Sequence, residues 1–198
     1  MNFEMKKLQE NCPVMIAKIP DLIMKEIDVW VDECKKIKEH PYAELKHLRI
    51  ETLENDFFRI KVSESLIKES FWLPWILKLC SEYVGNNTTD LDFDIEIFDN
   101  GSQSSWGVWT NFYQRGNCLS DHIHNGDLSG VIYCKNHDHP TFFNDYDIGY
   151  EGIDGTMILF PSNTRHHVKE QLSDEERITI SFNIFQNSKL KNNELLYQ

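Results

Sequence analysis

"RITISFNIF", residues 177–185, alternates without a break between polar and apolar side chains. Arg177, Thr179, Ser181 and Asn183 fall on one face of an extended strand, and Ile178, Ile180, Phe182 and Ile184 on the other. An antiparallel strand with this pattern ordinarily turns its polar face to water. If that face is enclosed instead, the arginine needs an anionic partner, because an unpaired buried charge is costly. A dicarboxylic acid meets the need through a bidentate, charge-assisted pair. Whether the polar face of this strand is surface or pocket therefore decides both fold and function.

Working outward, the texture from residue 91 onward is one of short segments rich in β-branched and aromatic residues, separated by Gly, Asn and Asp. It predicts strands near 92–98, 105–114, 118–124, 128–135, 140–144, 155–160, 166–171 and 177–186, with Asp154-Gly155 as a turn before "TMILF". The first half reads as helical. "PDLIMKEIDVWVDECKKIKEHP" (20–41) has Asp21 as N-cap and places Ile23, Ile27, Trp30, Cys34 and Ile37 at three- and four-residue steps. "SESLIKESFWLPWILKLCSEYVGNN" (63–87) repeats the style, with Pro74 predicting a kink or two shorter helices and Gly85 a stop. Its aromatics, Phe71, Trp72 and Trp75, read as packing against a sheet. The expected architecture is mainly β with N-terminal helices, a sandwich or jelly roll with the helices braced on one sheet. Without a repeat or a low-complexity linker, the expectation is one domain over 1–198. Residues 1–90 would form a mostly helical support region, 91–187 the β core and 188–198 a tail.

Bulk properties narrow the function. The chain has 198 residues, 40% of them hydrophobic and 12% aromatic, which is a globular composition. A formal charge of −12 and the lack of any Lys/Arg run argue against wrapping duplex nucleic acid, while leaving room for a small anion held by one buried cation. Cys12, Cys34, Cys80, Cys118 and Cys134 are odd in number and widely spaced, which fits reduced thiols. The N-terminus has acidic residues and no continuous apolar core, so it does not read as a secretion signal, and no stretch reaches membrane-span length. A cytoplasmic protein is expected. Oligomeric state leaves no mark in the sequence.

The histidines supply the chemistry. In "LSDHIHNGDLSG" (119–130), His122 and His124 share one face if the stretch is extended, and two imidazoles at that separation can bind one cation. "LFPSNTRHHV" (159–168) runs an apolar strand into a second histidine pair, and "NFYQRGN" (111–117) ends a strand at a Gly turn just ahead of the first. "NHDHP" (136–140) repeats the spacing in a polar stretch, so His137 and His139 read as loop residues, and His40 and His47 border helix ends.

In the order HxH, then HxV, then RxTxSFN, the chain resembles the 2-oxoglutarate- and Fe(II)-dependent oxygenases, in particular a small bacterial and phage branch related to prolyl hydroxylases. The matching positions are Trp109, Asn111, Gly116, His122, His124, Ser129, Gly130, Tyr133, Phe160, Pro161, Ser162, His166, Val168, Arg177, Ser181, Phe182 and Asn183, all within 109–185. The resemblance implies a double-stranded β-helix. It implies His122 and His166 as iron ligands, with His166 preferred to His167 by its distance from Phe160. Arg177 would clamp the distal carboxylate of 2-oxoglutarate, with Tyr113 and Thr179 adding hydroxyls and Asn111 and Tyr133 in the same pocket. The superfamily's usual third ligand is a carboxylate. Here His124 stands at that position, and Asp127 is the alternative. The implied activity is hydroxylation of a C–H bond with Fe(II), 2-oxoglutarate and O2, releasing succinate and CO2, with ascorbate as a stimulant. A protein or peptide residue is the leading substrate class and a small molecule the next. The loop 144–154 would line the entrance or form a solvated hairpin. Two readings compete: a cupin-like metal-dependent dioxygenase or isomerase without 2-oxoglutarate, and a non-catalytic jelly-roll binding protein.

Overall fold

Strand β14 (Arg177–Gln186) lies inside a sheet, paired with β7 (Ser104–Tyr113) on one side and β9 (Leu128–Lys135) on the other. Both of its faces are covered. Ile178, Ile180, Phe182 and Ile184 are buried under helices, and Arg177, Thr179 and Asn183 are buried on the opposite face. The polar face is therefore a pocket wall.

The structure is a computed structural model that describes residues 5–39, 48–53, 57–63, 72–85, 91–93, 95–97, 104–136 and 140–186. The other strands that it describes are β1 (Met5–Lys7), β2 (Met15–Lys18), β3 (Leu48–Leu53), β4 (Phe57–Ser63), β5 (Leu91–Phe93) and β6 (Ile95–Ile97). They continue with β8 (Leu119–His122), β10 (Thr141–Phe143), β11 (Ile148–Tyr150), β12 (Thr156–Pro161) and β13 (His166–Val168), and the helices are α1 (Asp21–Glu39) and α2 (Trp72–Tyr83). A ten-stranded antiparallel sheet runs β1-β2-β12-β9-β14-β7-β4-β3, with β5 added to β14 and β6 to β7. A four-stranded antiparallel sheet runs β11-β10-β13-β8. Together they make the expected jelly roll.

The helices cover the outer face of the large sheet. Ile27, Val31, Cys34 and Ile37 of α1 and Trp72, Leu73, Trp75, Ile76, Leu79 and Cys80 of α2 join one core with Val108, Phe112, Ile132, Leu159 and the apolar face of β14. Each fully buried Ile or Phe there contributes roughly 1.5–3 kcal/mol of transfer free energy. Thr110, a buried polar group on this face, accepts a hydrogen bond from Trp30 Nε1 at 2.9 Å, which pins α1 in register on the sheet. Between the sheets, Val14, Ile16, Val131, Tyr133, Phe143, Tyr150, Ile158 and Phe160 form a second core.

Several expectations change. Asp21 is the first helical residue rather than the cap, since Met24 N already donates to Pro20 O. Pro74 falls in the first turn of α2, where its missing N–H leaves no bond unmade, and the expected kink or second helix ahead of it falls outside the described residues. Residues 64–71, the upstream part of that expected helix, lie outside the described residues, as do His40, His47, His137 and His139. The region expected to be mostly helical also contributes β1 to β4. "LRIETL" and "FFRIKVS" do alternate apolar and charged residues with period two, a strand signal that the helical reading of the first half passed over.

Candidate metal centre and its cleft

His122 ends β8 directly opposite His166 of β13, its Cα partner in the small sheet. The strand stops there and does not run on to residue 124 as the spacing predicts. His124 reaches the same point by a different device. Its backbone N–H donates to Ser162 O at 2.8 Å, Ser162 N donates to Asp127 O, and Asp127 N donates to Ile184 O. This ladder fastens the segment leaving β8 to the turn after β12 and to β14. The rings of His122 and His124 end up edge to face, with centroids 4.9 Å apart.

The three ligand nitrogens of His122, His124 and His166 lie within 4.8 Å of one another. Two of the rings are oriented by the backbone. His122 Nδ1 sits 2.8 Å from Ser120 O, and His166 Nδ1 the same distance from Thr164 O. A carbonyl can only accept, so each Nδ1 carries the proton and each Nε2 keeps its lone pair for a cation. His166 is buried between Phe143 and Phe160. That burial, reinforced by neighbouring His122, pulls its pKa down to about 4, so the ring is neutral and ready to ligate at neutral pH. His167 points the other way, with Nδ1 2.6 Å from Asn144 Oδ1 and its ring against Phe142. Among the described residues the converging group is the three histidines, without Asp127.

The cleft beside this cluster runs from the histidines to Arg177. Registry explains its lining: Arg177, Thr179 and Ser181 pair with Tyr113, Asn111 and Trp109 of β7, so all six side chains share the inner face. Asn111 Nδ2 donates to Thr179 Oγ1 at 3.2 Å and to Ser181 Oγ at 2.9 Å. Arg177 is 1% exposed, and its guanidinium lies over the Tyr113 ring at 4.7 Å and near Tyr133 at 5.8 Å. Its Nε donates to Asn136 Oδ1 at 2.6 Å and its Nη2 reaches Thr141 Oγ1 at 3.5 Å. Among the described residues, its buried Nη1 has no hydrogen-bond partner. Tyr133 donates its hydroxyl to Thr141 Oγ1, and burial pushes its phenol well above the usual range, so it stays protonated.

Asn136 and Thr141 were not among the residues singled out from the sequence. Their only signal was negative: a buried arginine needs acceptors, and the strand face that carries it offers only hydroxyls and an amide. Of the two readings of segment 144–154, the hairpin holds: a 3-10 turn leads into strand β11, which pairs with β10, and none of the segment lines the cleft.

The donor set fits the group that the fold family uses. Imidazole nitrogens suit ferrous iron, and the orphaned Nη1 of a buried arginine suits the carboxylate of a keto acid bound at that iron. The comparisons with known proteins agree. Residues 139–183, which include His166 and Arg177, match the model of a putative 2OG-Fe(II) oxygenase family. No curated protein matches the chain in sequence. The fold is similar to that of a viral collagen prolyl hydroxylase from Paramecium bursaria Chlorella virus 1, solved as its 2-oxoglutarate complex, with 14% identity over 90% of this chain and 98% of that one and a TM-score of 0.56. It is similar to a prolyl-4-hydroxylase of Pseudomonas putida, with 12% identity, 89% and 94% coverage and a TM-score of 0.56. It is also similar to HygX of Streptomyces hygroscopicus with nickel and 2-oxoglutarate bound, with 10% identity, 89% and 84% coverage and a TM-score of 0.55. Fold and matched sequence pattern are thus those of the 2-oxoglutarate- and Fe(II)-dependent oxygenases, as the motifs had indicated.

Proposed function

We propose that this chain is an Fe(II)- and 2-oxoglutarate-dependent hydroxylase whose metal ligands are His122, His124 and His166. The observation that carries the reading is the pairing, in one cleft, of three converging imidazoles with a buried arginine whose Nη1 has no partner among the described residues. Iron held there would let O2 act as the oxidant of both 2-oxoglutarate and the substrate, one oxygen atom ending in succinate as CO2 is lost and the other in the hydroxylated C–H bond. The chain's own residues hold and orient. Ser120 O and Thr164 O fix the tautomers of His122 and His166. Arg177 grips the distal carboxylate, and its burial strengthens that contact by excluding water. Tyr113 and Thr179 add hydroxyls on the same face, while Asn111 orients the Thr179 hydroxyl by donating to it. Tyr133 closes the cavity behind the guanidinium.

A third imidazole in place of the usual carboxylate makes the ligand set neutral, so a dianionic cosubstrate meets a less screened cation. A protein or peptide side chain is the proposed substrate class, with small molecules second, by analogy with the prolyl hydroxylases that share the fold. We place the reaction in the cytoplasm, with ascorbate keeping the iron reduced. A cupin-like enzyme without a keto acid would have no use for Arg177 in the cleft.

Anaerobic titration with Fe(II) and then 2-oxoglutarate tests the proposal. A weak visible charge-transfer band should appear only after the keto acid is added, and admission of O2 should then yield succinate. Protein with bound iron that forms neither the band nor succinate above a protein-free control overturns the reading.

A further inference from the structure

Asn136, at the end of β9, joins Arg177 to the turn between β11 and β12. Its Oδ1 accepts from Arg177 Nε at 2.6 Å, its Nδ2 donates to Gly152 O at 2.9 Å and also to Glu151 O, and its backbone N–H donates to Asp154 Oδ1 at 2.7 Å. The amide has only one workable orientation. Flipped, it would set NH2 against a guanidinium N–H and a carbonyl oxygen against two others. The turn is built to reach it. Gly152 has φ 71°, and a Cβ there would lie 2.3 Å from the Tyr133 ring and 3.0 Å from Asn136 Nδ2. Tyr133 is tied in turn to Thr141, which faces Arg177 Nη2. The guanidinium is thus held along its Nε edge by Asn136 and across its faces by Tyr113 and Tyr133, with Nη1 left over.

We infer that Asn136 is a positioning residue for the anion-binding arginine: by fixing the guanidinium about its Nε edge, it presets the donors that receive the distal carboxylate of the keto acid. The inference rests on the role given to Arg177 above. Preorganised donors spare the ligand the cost of ordering them, and a lost hydrogen bond to a charged group weakens binding by about tenfold or more.

Two measurements test it. In metal-free protein, the Arg177 Nε–H signal in a nitrogen-15 NMR spectrum, assigned by its loss in Arg177→Lys, should exchange slowly in the wild type and rapidly in Asn136→Ala. In Ni(II)-loaded protein, Asn136→Ala should raise the Kd for 2-oxoglutarate by about tenfold or more, with Ni(II) affinity unchanged. Asn136→Asp keeps an acceptor for the Nε–H but sets an oxygen against the Gly152 and Glu151 carbonyls and a competing carboxylate on the guanidinium, so it too should weaken 2-oxoglutarate binding. This variant carries the test if Asn136→Ala does not fold. Wild-type 2-oxoglutarate affinity in either variant, or a protected Nε–H in Asn136→Ala, overturns the inference while leaving the proposed function standing. A wild type that binds Ni(II) but not 2-oxoglutarate overturns the proposed function, and with it this role for Asn136.

Discussion

Arg177 and Tyr113 are Cα partners across the β14–β7 ladder, and the guanidinium lies over the tyrosine ring 4.7 Å from its centroid. Opposed residues of an antiparallel pair share a face, so this contact follows from register alone. It gives the buried cation a π-face while leaving its in-plane N–H groups for hydrogen bonds, an arrangement open to arginine and not to lysine.

Arg177→Lys should therefore weaken 2-oxoglutarate binding by roughly 10- to 100-fold, the worth of a charge-assisted bond in a buried site. Arg177→Ala should abolish succinate formation while leaving iron bound. Isothermal titration on metal-loaded protein, with metal content measured in parallel, separates the two effects. Joint loss of metal and keto acid in the alanine variant would mean that Arg177 acts through the fold.

The two neighbours in "RHHV" should behave oppositely. His166 is buried with its Nε2 in the cluster, whereas His167 is half-buried and engaged with Asn144. His166→Ala should reduce Fe(II) or Ni(II) binding below detection, and His167→Ala should leave it near wild type. Equal losses would place the ligand set elsewhere.

How much of this was legible follows from how local each cause is. The alternation of 177–185 carried both faces of β14, because both are set by one strand's own period, and the order of histidines pointed to the three that converge. What escaped was made by distant pairing. His124, expected in the cluster, reaches it through a backbone bond to Ser162, itself bonded to Asp127, and not through strand alternation. Asn136 meets Arg177 only because a turn closes over Tyr133. β3 and β4 do alternate apolar and charged residues; they were missed because the flanking segments 20–41 and 63–87 set a helical reading for the whole first half.

Stability has its own test at Gly130. This residue opposes Phe182 across β9 and β14, and a Cβ at 130 would lie 2.1–2.8 Å from three atoms of the phenyl ring. The ring lies in a fully packed core beneath the helices, with little room to move. Gly130→Ala should cost about 1–3 kcal/mol and lower Tm by several degrees. Adding Phe182→Leu, which removes the clashing ring atoms, should make the double variant more stable than the sum of the two single losses. Strict additivity in thermal melts would refute the clash.

The third ligand is decided by a pair of substitutions. His124 and Asp127 flank the turn after β8, and Asp127's backbone is already spent on the ladder: its N–H goes to Ile184 O and its carbonyl accepts from Ser162 N. His124 instead has its ring 5.1 Å from that of His166 and 4.9 Å from that of His122. His124→Asp puts a carboxylate where related oxygenases carry one, on a shorter side chain. If His124 ligates, this variant should still bind Fe(II) and show a changed charge-transfer band with 2-oxoglutarate, because one negative charge has entered the coordination shell. His124→Ala should bind iron far more weakly, and Asp127→Ala should bind it about as well as wild type. If Asp127 were the ligand, the ranking would invert: Asp127→Ala would lose the metal, and both His124 variants would keep the wild-type band.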